Sequence, residues 1–113
     1  MRSLSNLFGK TSASADTQRS LRLSEFFDNK YVTFAKATKR RSELDSYVFD
    51  KHMRAQLGHK KLGDIRSEDI DHWIMQQVDD GYKPATVNKH SAMLNRMLNI
   101  AMHWGYLDHN VFK

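Results

Sequence analysis

The stretch Ala85-Thr86-Val87-Asn88-Lys89-His90, running on through Ala101 to Trp104-Gly105-Tyr106-Leu107-Asp108-His109-Asn110, reads as one long helix with a glycine-marked stop. Pro84 suits its first turn, because the ring pre-sets φ and the missing N–H has no helical partner there. Val87, Leu94, Met97 or Leu98, Ala101 and Trp104 recur along one side at helical spacing. Lys83, Thr86, Lys89, His90 and Arg96 fall on other faces. Gly105 ends the run over residues 84–104, and Tyr106 with Leu107 folds back onto the core.

Three further helices lie upstream. Over residues 67–80, Ser67 is the expected cap and Glu68 and Asp69 occupy the first turn, where acids are favoured. Ile70, Trp73, Ile74, Gln77 and Val78 form the inner face of that helix, and Gly81 stops it. Over residues 42–56, Ser42 and Asp45 form a capping-box variant. Leu44, Tyr47 and Val48 supply the buried stripe, and Gly58 takes the left-handed conformation that ends the helix. Over residues 24–37, Ser24 is the cap, and Leu23, Phe26, Phe27, Tyr31 and Phe34 make an aromatic face too apolar to stay wet.

Composition agrees with a small helical domain. A chain of 113 residues that is 40% hydrophobic supports one modest core. Val, Ile and Thr nowhere alternate with polar residues for long, which argues against strands. No apolar run reaches membrane-spanning length. Zero cysteines exclude disulfides and thiolate metal sites and fit a cytoplasmic location. Residues 1–20, rich in Ser, Thr and Ala, read as a flexible tail or linker, with a transit peptide as the competing reading.

The net charge of +5 is unevenly distributed. Residues 36–61 hold eight basic against three acidic residues, residues 62–82 one against six, and residues 83–113 four against one. Such segregation gives a positive face and a negative back if the acidic segment points away from the other two. A positive face suits a polyanion, because Lys and Arg contacts release counterions condensed on phosphates. Lys36, Lys39, Arg40 and Arg41 crowd the entrance of the second helix, where cations oppose the dipole, so a phosphate backbone would explain them better than helix stability does.

Several of these residues fall in an ordered series. The second helix runs into Leu57-Gly58, and Leu62-Gly63-Asp64-Ile65 steps into the third. The fourth opens on Thr86-Val87-Asn88-Lys89 and closes through Ala101, Gly105, Leu107 and Asn110-Val111. Over about residues 21–112 this series resembles the N-terminal core-binding domain of tyrosine recombinases, also called phage integrases. The chain departs from the family pattern in having Lys89 for Arg and Val111 for Pro.

The resemblance implies an all-α fold, a compact four-helix orthogonal bundle of the SAM-like type over residues 21–113, behind a disordered N-terminal tail. It implies half of a C-shaped clamp on double-stranded DNA, completed by a separate catalytic domain of a longer parent chain and by other recombinase protomers on the DNA. Carried over, the candidate contacts are Lys39, Arg40, Arg41, Lys83, Thr86, Asn88, Lys89, His90 and Arg96. Lys and Arg would bind phosphate, and Asn88 or His90 would reach a base edge.

Catalysis and cofactors are not expected. The family's His-x-x-Arg element is absent, since no histidine here has Arg three residues on, and Tyr106 reads as a packing residue rather than a nucleophile. The six histidines offer no i,i+4 pair with a carboxylate partner, so no metal is expected, and His52 reads as packing at the core edge. Two other classes compete: a helical protein-interaction module without DNA binding, and a helix-turn-helix regulator reading DNA with residues 84–104. The very acidic helix ahead of Gly81-Tyr82-Lys83-Pro84 disfavours the regulator.

Overall fold

A computed structural model describes residues 21–38 and 42–112 of the chain. The tail assigned to residues 1–20 and the cations Lys39, Arg40 and Arg41 lie outside the described residues. The fold is an all-α four-helix bundle. Helix α1 spans residues 23–37 and α2 spans residues 42–58; a 3-10 turn, Leu62–Asp64, leads to α3, Ser67–Asp79, and α4 is Pro84–His103. The one sheet-like contact among the described residues is an antiparallel bridge between Arg22 and Lys61. Through it Leu23 N–H donates to Lys60 O at 2.9 Å and Leu62 N–H to Leu21 O at 2.8 Å. These bonds tie the start of α1 to the link after α2.

Both early helices change pitch. In α1 the turns Leu23–Phe26 and Val32–Ala37 are α-helical and Phe27–Tyr31 is π-helical; in α2 an α-helical Ser42–Val48 runs into a π-helical Phe49–Gly58. The buried residues explain this. Leu23, Phe27, Tyr31 and Ala35 are buried on α1, and Asp45, Phe49, Met53 and Leu57 on α2, each an i,i+4 series. At 3.6 residues per turn such a series slides about 40° round an α-helix at every step. The wider i→i+5 turn rotates less per residue and holds the series against the core.

Phe26, Phe27, Tyr31, Phe49, Met53, Trp73, Leu94, Met97 and Leu98 form the centre of that core. Phe27 and Phe49 stack at 4.2 Å between α1 and α2, and Phe26 meets Tyr106 edge-on at 5.6 Å. The aromatic face of α1 is therefore core, with half-buried Phe34 against Trp104 at its rim.

The helix ends differ in part from the sequence reading. Gly81 and Gly105 hold φ of 92° and 87° and close α3 and α4 as left-handed caps. In each, paired backbone bonds fasten the last turn: Tyr82 N–H to Gln77 O and Gly81 N–H to Val78 O, then Tyr106 N–H to Ala101 O and Gly105 N–H to Met102 O. Gly58 is not a left-handed stop. It lies inside α2 with its Cα against Ser24, where an added Cβ would sit 3.4 Å from the Ser24 Cβ. Ser24 and Ser67 are not caps either. Arg22 and Arg66 hold the cap positions, and Glu25 and Asp69 accept their backbone N–H groups at 2.9 Å. Ser67 Oγ instead donates to Val111 O at 3.3 Å.

The inner face of α2 is also corrected. Leu44 and Tyr47 are exposed, Val48 is half-buried, and Asp45 is buried; the cap expected at Ser42 lies outside the described side chains. The Asp45 carboxylate is satisfied from two other helices: Tyr31 Oη donates at 3.2 Å and Arg96 lies at 3.5 Å. On α3, Val78 is exposed, while Ile70, Trp73 and Gln77 are buried as the periodicity predicts.

Candidate nucleic-acid interface

The outward sides of α2 and α4 enclose an open groove of about 800 Å³. Leu44, Tyr47, Val48 and His52 form one wall, and Thr86, Lys89, His90, Met93 and Arg96 the other. Thr86, Lys89, Met93 and Arg96 share one stripe of α4 because they recur at spacings of three and four. Lys89 and Arg96 are separated by about 10.5 Å along the helix axis, two turns.

The charge of the groove is one-sided. Asp45 is the only acid lining it among the described residues, and that carboxylate is bonded by Tyr31 and Arg96. Lys89 is exposed and makes no ion pair with a described residue, and the same holds for Lys83 at the cap position of α4. Lys51 extends the positive rim. Its ammonium donates to Tyr47 Oη at 3.1 Å and lies 5.5 Å from the Tyr47 ring centroid, contacts that raise its pKa.

The candidate residues divide in three. Half-buried Thr86 and exposed Lys89 line the groove, whereas Lys83 at the cap position and Asn88, about 160° round the helix from Thr86, are exposed but are not groove-lining residues. Arg96 lies farther along the same groove, but its Nε donates to Tyr31 Oη at 3.1 Å and its side chain is drawn toward Asp45. It is a partly committed cation rather than a free one. His90 is withdrawn from base reading: it is 6% exposed, since position 90 falls on the buried stripe with Val87 and Leu94, and its Nδ1 is hydrogen-bonded to Gln77 Oε1. Lys39, Arg40 and Arg41 lie outside the described residues, and Lys36 belongs to the last turn of α1, where a cation suits the helix dipole.

The base of the groove is an aromatic cluster. His52 and His90 stack, and the Tyr82 ring stands edge-on to His52 at 4.9 Å. Burial lowers the pKa of both imidazoles; Lys51 adds to the effect at His52, and His52 adds to it at His90. Both are neutral at pH 7. His52 also anchors the third helix through its carbonyl, which accepts the Trp73 indole N–H. Among the described residues no group of three His, Cys, Asp or Glu side chains is placed to hold a metal ion, and no helix is long and apolar enough to cross a membrane.

Folding neutralises part of the basic segment. Arg54 forms a fork with Asp28, its two nitrogens at 2.9 and 3.0 Å, and its Nε donates to Asp50, while Lys60 pairs with Asp69 at 3.5 Å. Among the described residues, the cations of 36–61 without an ion pair are Lys36, Lys51 and Lys61. Sequence reasoning missed Tyr47 as a groove-lining residue and Lys51 as the cation bonded to it. The signal was present in their i,i+4 spacing, which puts a cation beside a ring on one helix face.

Comparison with known protein families, with curated proteins and with solved structures finds no match to this chain.

Proposed function

We propose that the chain is a DNA-binding module that lays the α2–α4 groove against duplex DNA, as the half-clamp of a tyrosine-type site-specific recombinase whose chemistry resides in a separate domain. The observation that carries the reading is the groove's charge: Lys89 and Arg96 line it, Lys89 has no ion pair with a described residue, and the one carboxylate among the described lining residues is already bonded. A cation placed as Lys89 is meets phosphates without first breaking such a pair. Thr86 adds a neutral donor on the same wall of the groove, suited to phosphate contact. The motif series supports the recombinase class, since Leu57-Gly58 closes α2, Leu62-Gly63-Asp64-Ile65 makes the step into α3, and Thr86-Val87-Asn88-Lys89 opens α4.

The test is binding of a labelled random-sequence duplex at low salt by fluorescence anisotropy. Lys89→Ala should weaken binding roughly 3- to 10-fold, in keeping with loss of a phosphate contact, and leave the circular dichroism spectrum unchanged. Failure of the wild-type chain to bind duplex DNA at low salt contradicts the reading.

A further inference from the structure

Five large apolar residues stand exposed among those described: Leu44, Tyr47, Met75, Val78 and Met102. Four of them fall on two stripes of the same length. On α2, Leu44 (49% exposed), Tyr47 (55%) and Lys51 follow one another over seven residues. On α3, Asp71, Met75 (53%) and Val78 (57%) do the same. Each stripe is two apolar side chains with one charge at an end, and the charges are opposite. Glu68 and Asp79, exposed and without an ion pair among the described residues, extend the negative character of the α3 stripe.

We infer that the α3 stripe is a docking surface for the α2 stripe of a second copy of this chain. Laid antiparallel, the stripes bring Lys51 to Asp71, Tyr47 to Met75 and Leu44 to Val78. The middle pair is a ring against a thioether, a favourable contact. The two surfaces differ, so the contact is heterologous and propagates head to tail instead of closing as a two-fold dimer. Two helical turns bury well under the roughly 1,200 Å² of a standard stable interface, so the association is weak and concentration-dependent. Leu44 and Tyr47 also line the α2–α4 groove. Resting on the DNA-binding reading, duplex DNA and the second copy compete for that groove.

Sedimentation velocity on the full chain tests the pairing, between about 10 µM and 1 mM at low salt, a range set by the small buried area. The weight-average mass should rise over this range. Lys51→Glu and Asp71→Lys should each abolish the rise, and the double swap should restore it. All these side chains are exposed, so the variants fold. A wild-type chain that stays monomeric at the highest concentration overturns the inference, as does a double swap that restores nothing. Added duplex DNA should return the wild-type mass to that of the DNA-bound monomer. If the chain self-associates and the swap rescues it, but DNA neither binds nor dissociates it, the pairing stands and the DNA reading fails.

Discussion

The imidazole rings of His52 and His90 stack 4.2 Å apart and 28° from parallel, joining α2 to α4 beneath the groove. Burial disfavours the imidazolium at both rings, and a proton on His52 would also face Lys51, while one on His90 would face His52. The stack therefore couples the stability of the bundle to pH.

Both histidines have folded-state pKa values below their unfolded value of 6.5. Around and below that pH the unfolded chain binds more protons than the folded one, so stability decreases as the pH is lowered. This contribution is fully present above about pH 7.5 and declines as the pH drops through 6.5 toward the folded values. Urea midpoints at pH 7.5 and 5.5 should show the loss, and the double replacement His52→Gln with His90→Gln should flatten it. Equal midpoints for the native chain at the two pH values would contradict the account.

The glycines should respond differently to alanine. Gly105 and Gly81 hold positive φ, so Gly105→Ala or Gly81→Ala should cost about 1–2 kcal/mol. Gly58 is helical, and an added methyl would lie 3.3 Å from Arg54 Cγ, whose head group is held by Asp28 and Asp50, and 3.4 Å from Ser24 Cβ. Gly58→Ala should therefore fall within about 1 kcal/mol of neutral, because the gain in helix propensity offsets the tighter contact. Thermal denaturation of the three variants separates the cases, and a Gly58→Ala loss as large as that of Gly105→Ala would place Gly58 in the left-handed region after all.

Asn110 should act as a latch for the C-terminal residues. It is 2% exposed, and its Nδ2 donates to Asn95 Oδ1 at 2.7 Å and Asn99 Oδ1 at 2.8 Å, while its Oδ1 accepts the Phe112 N–H at 3.0 Å. Asn110→Ala removes every one of these bonds and should cost about 1–3 kcal/mol. Hydrogen exchange should show fast exchange of the Phe112 amide in the variant. Unchanged protection there would mean that Val111 and Phe112 are held by apolar packing alone.

The four helices were legible because their signals are local. Pro84, the paired glycines Gly81 and Gly105, and the Phe26–Phe27–Tyr31 spacing each act within a few residues. The inner face of α2 was not legible. An α-helical period selects Leu44 and Val48, but the turns of α2 widen after Val48, and the inward position goes to Asp45. A carboxylate is tolerable there only because Tyr31 and Arg96, 14 and 51 residues away, converge on it. His90 was misassigned although its spacing from Val87 and Leu94 puts it on the buried stripe; only its partner, Gln77, lies on another helix. Of the candidate residues, Thr86, Lys89 and Arg96 share a groove wall because their spacing of three and seven residues keeps them on one stripe of a single helix, while Asn88 falls off that stripe.

The central claim is that unpaired cations flanking the α2–α4 groove grip a phosphate backbone, and a salt titration of duplex binding measures it most directly. With about six phosphate contacts, log K should fall with log salt at a slope near −5, and Lys83→Ala and Lys89→Ala should each make that slope shallower by about 1. A slope near zero, or one that neither substitution changes, would contradict the claim.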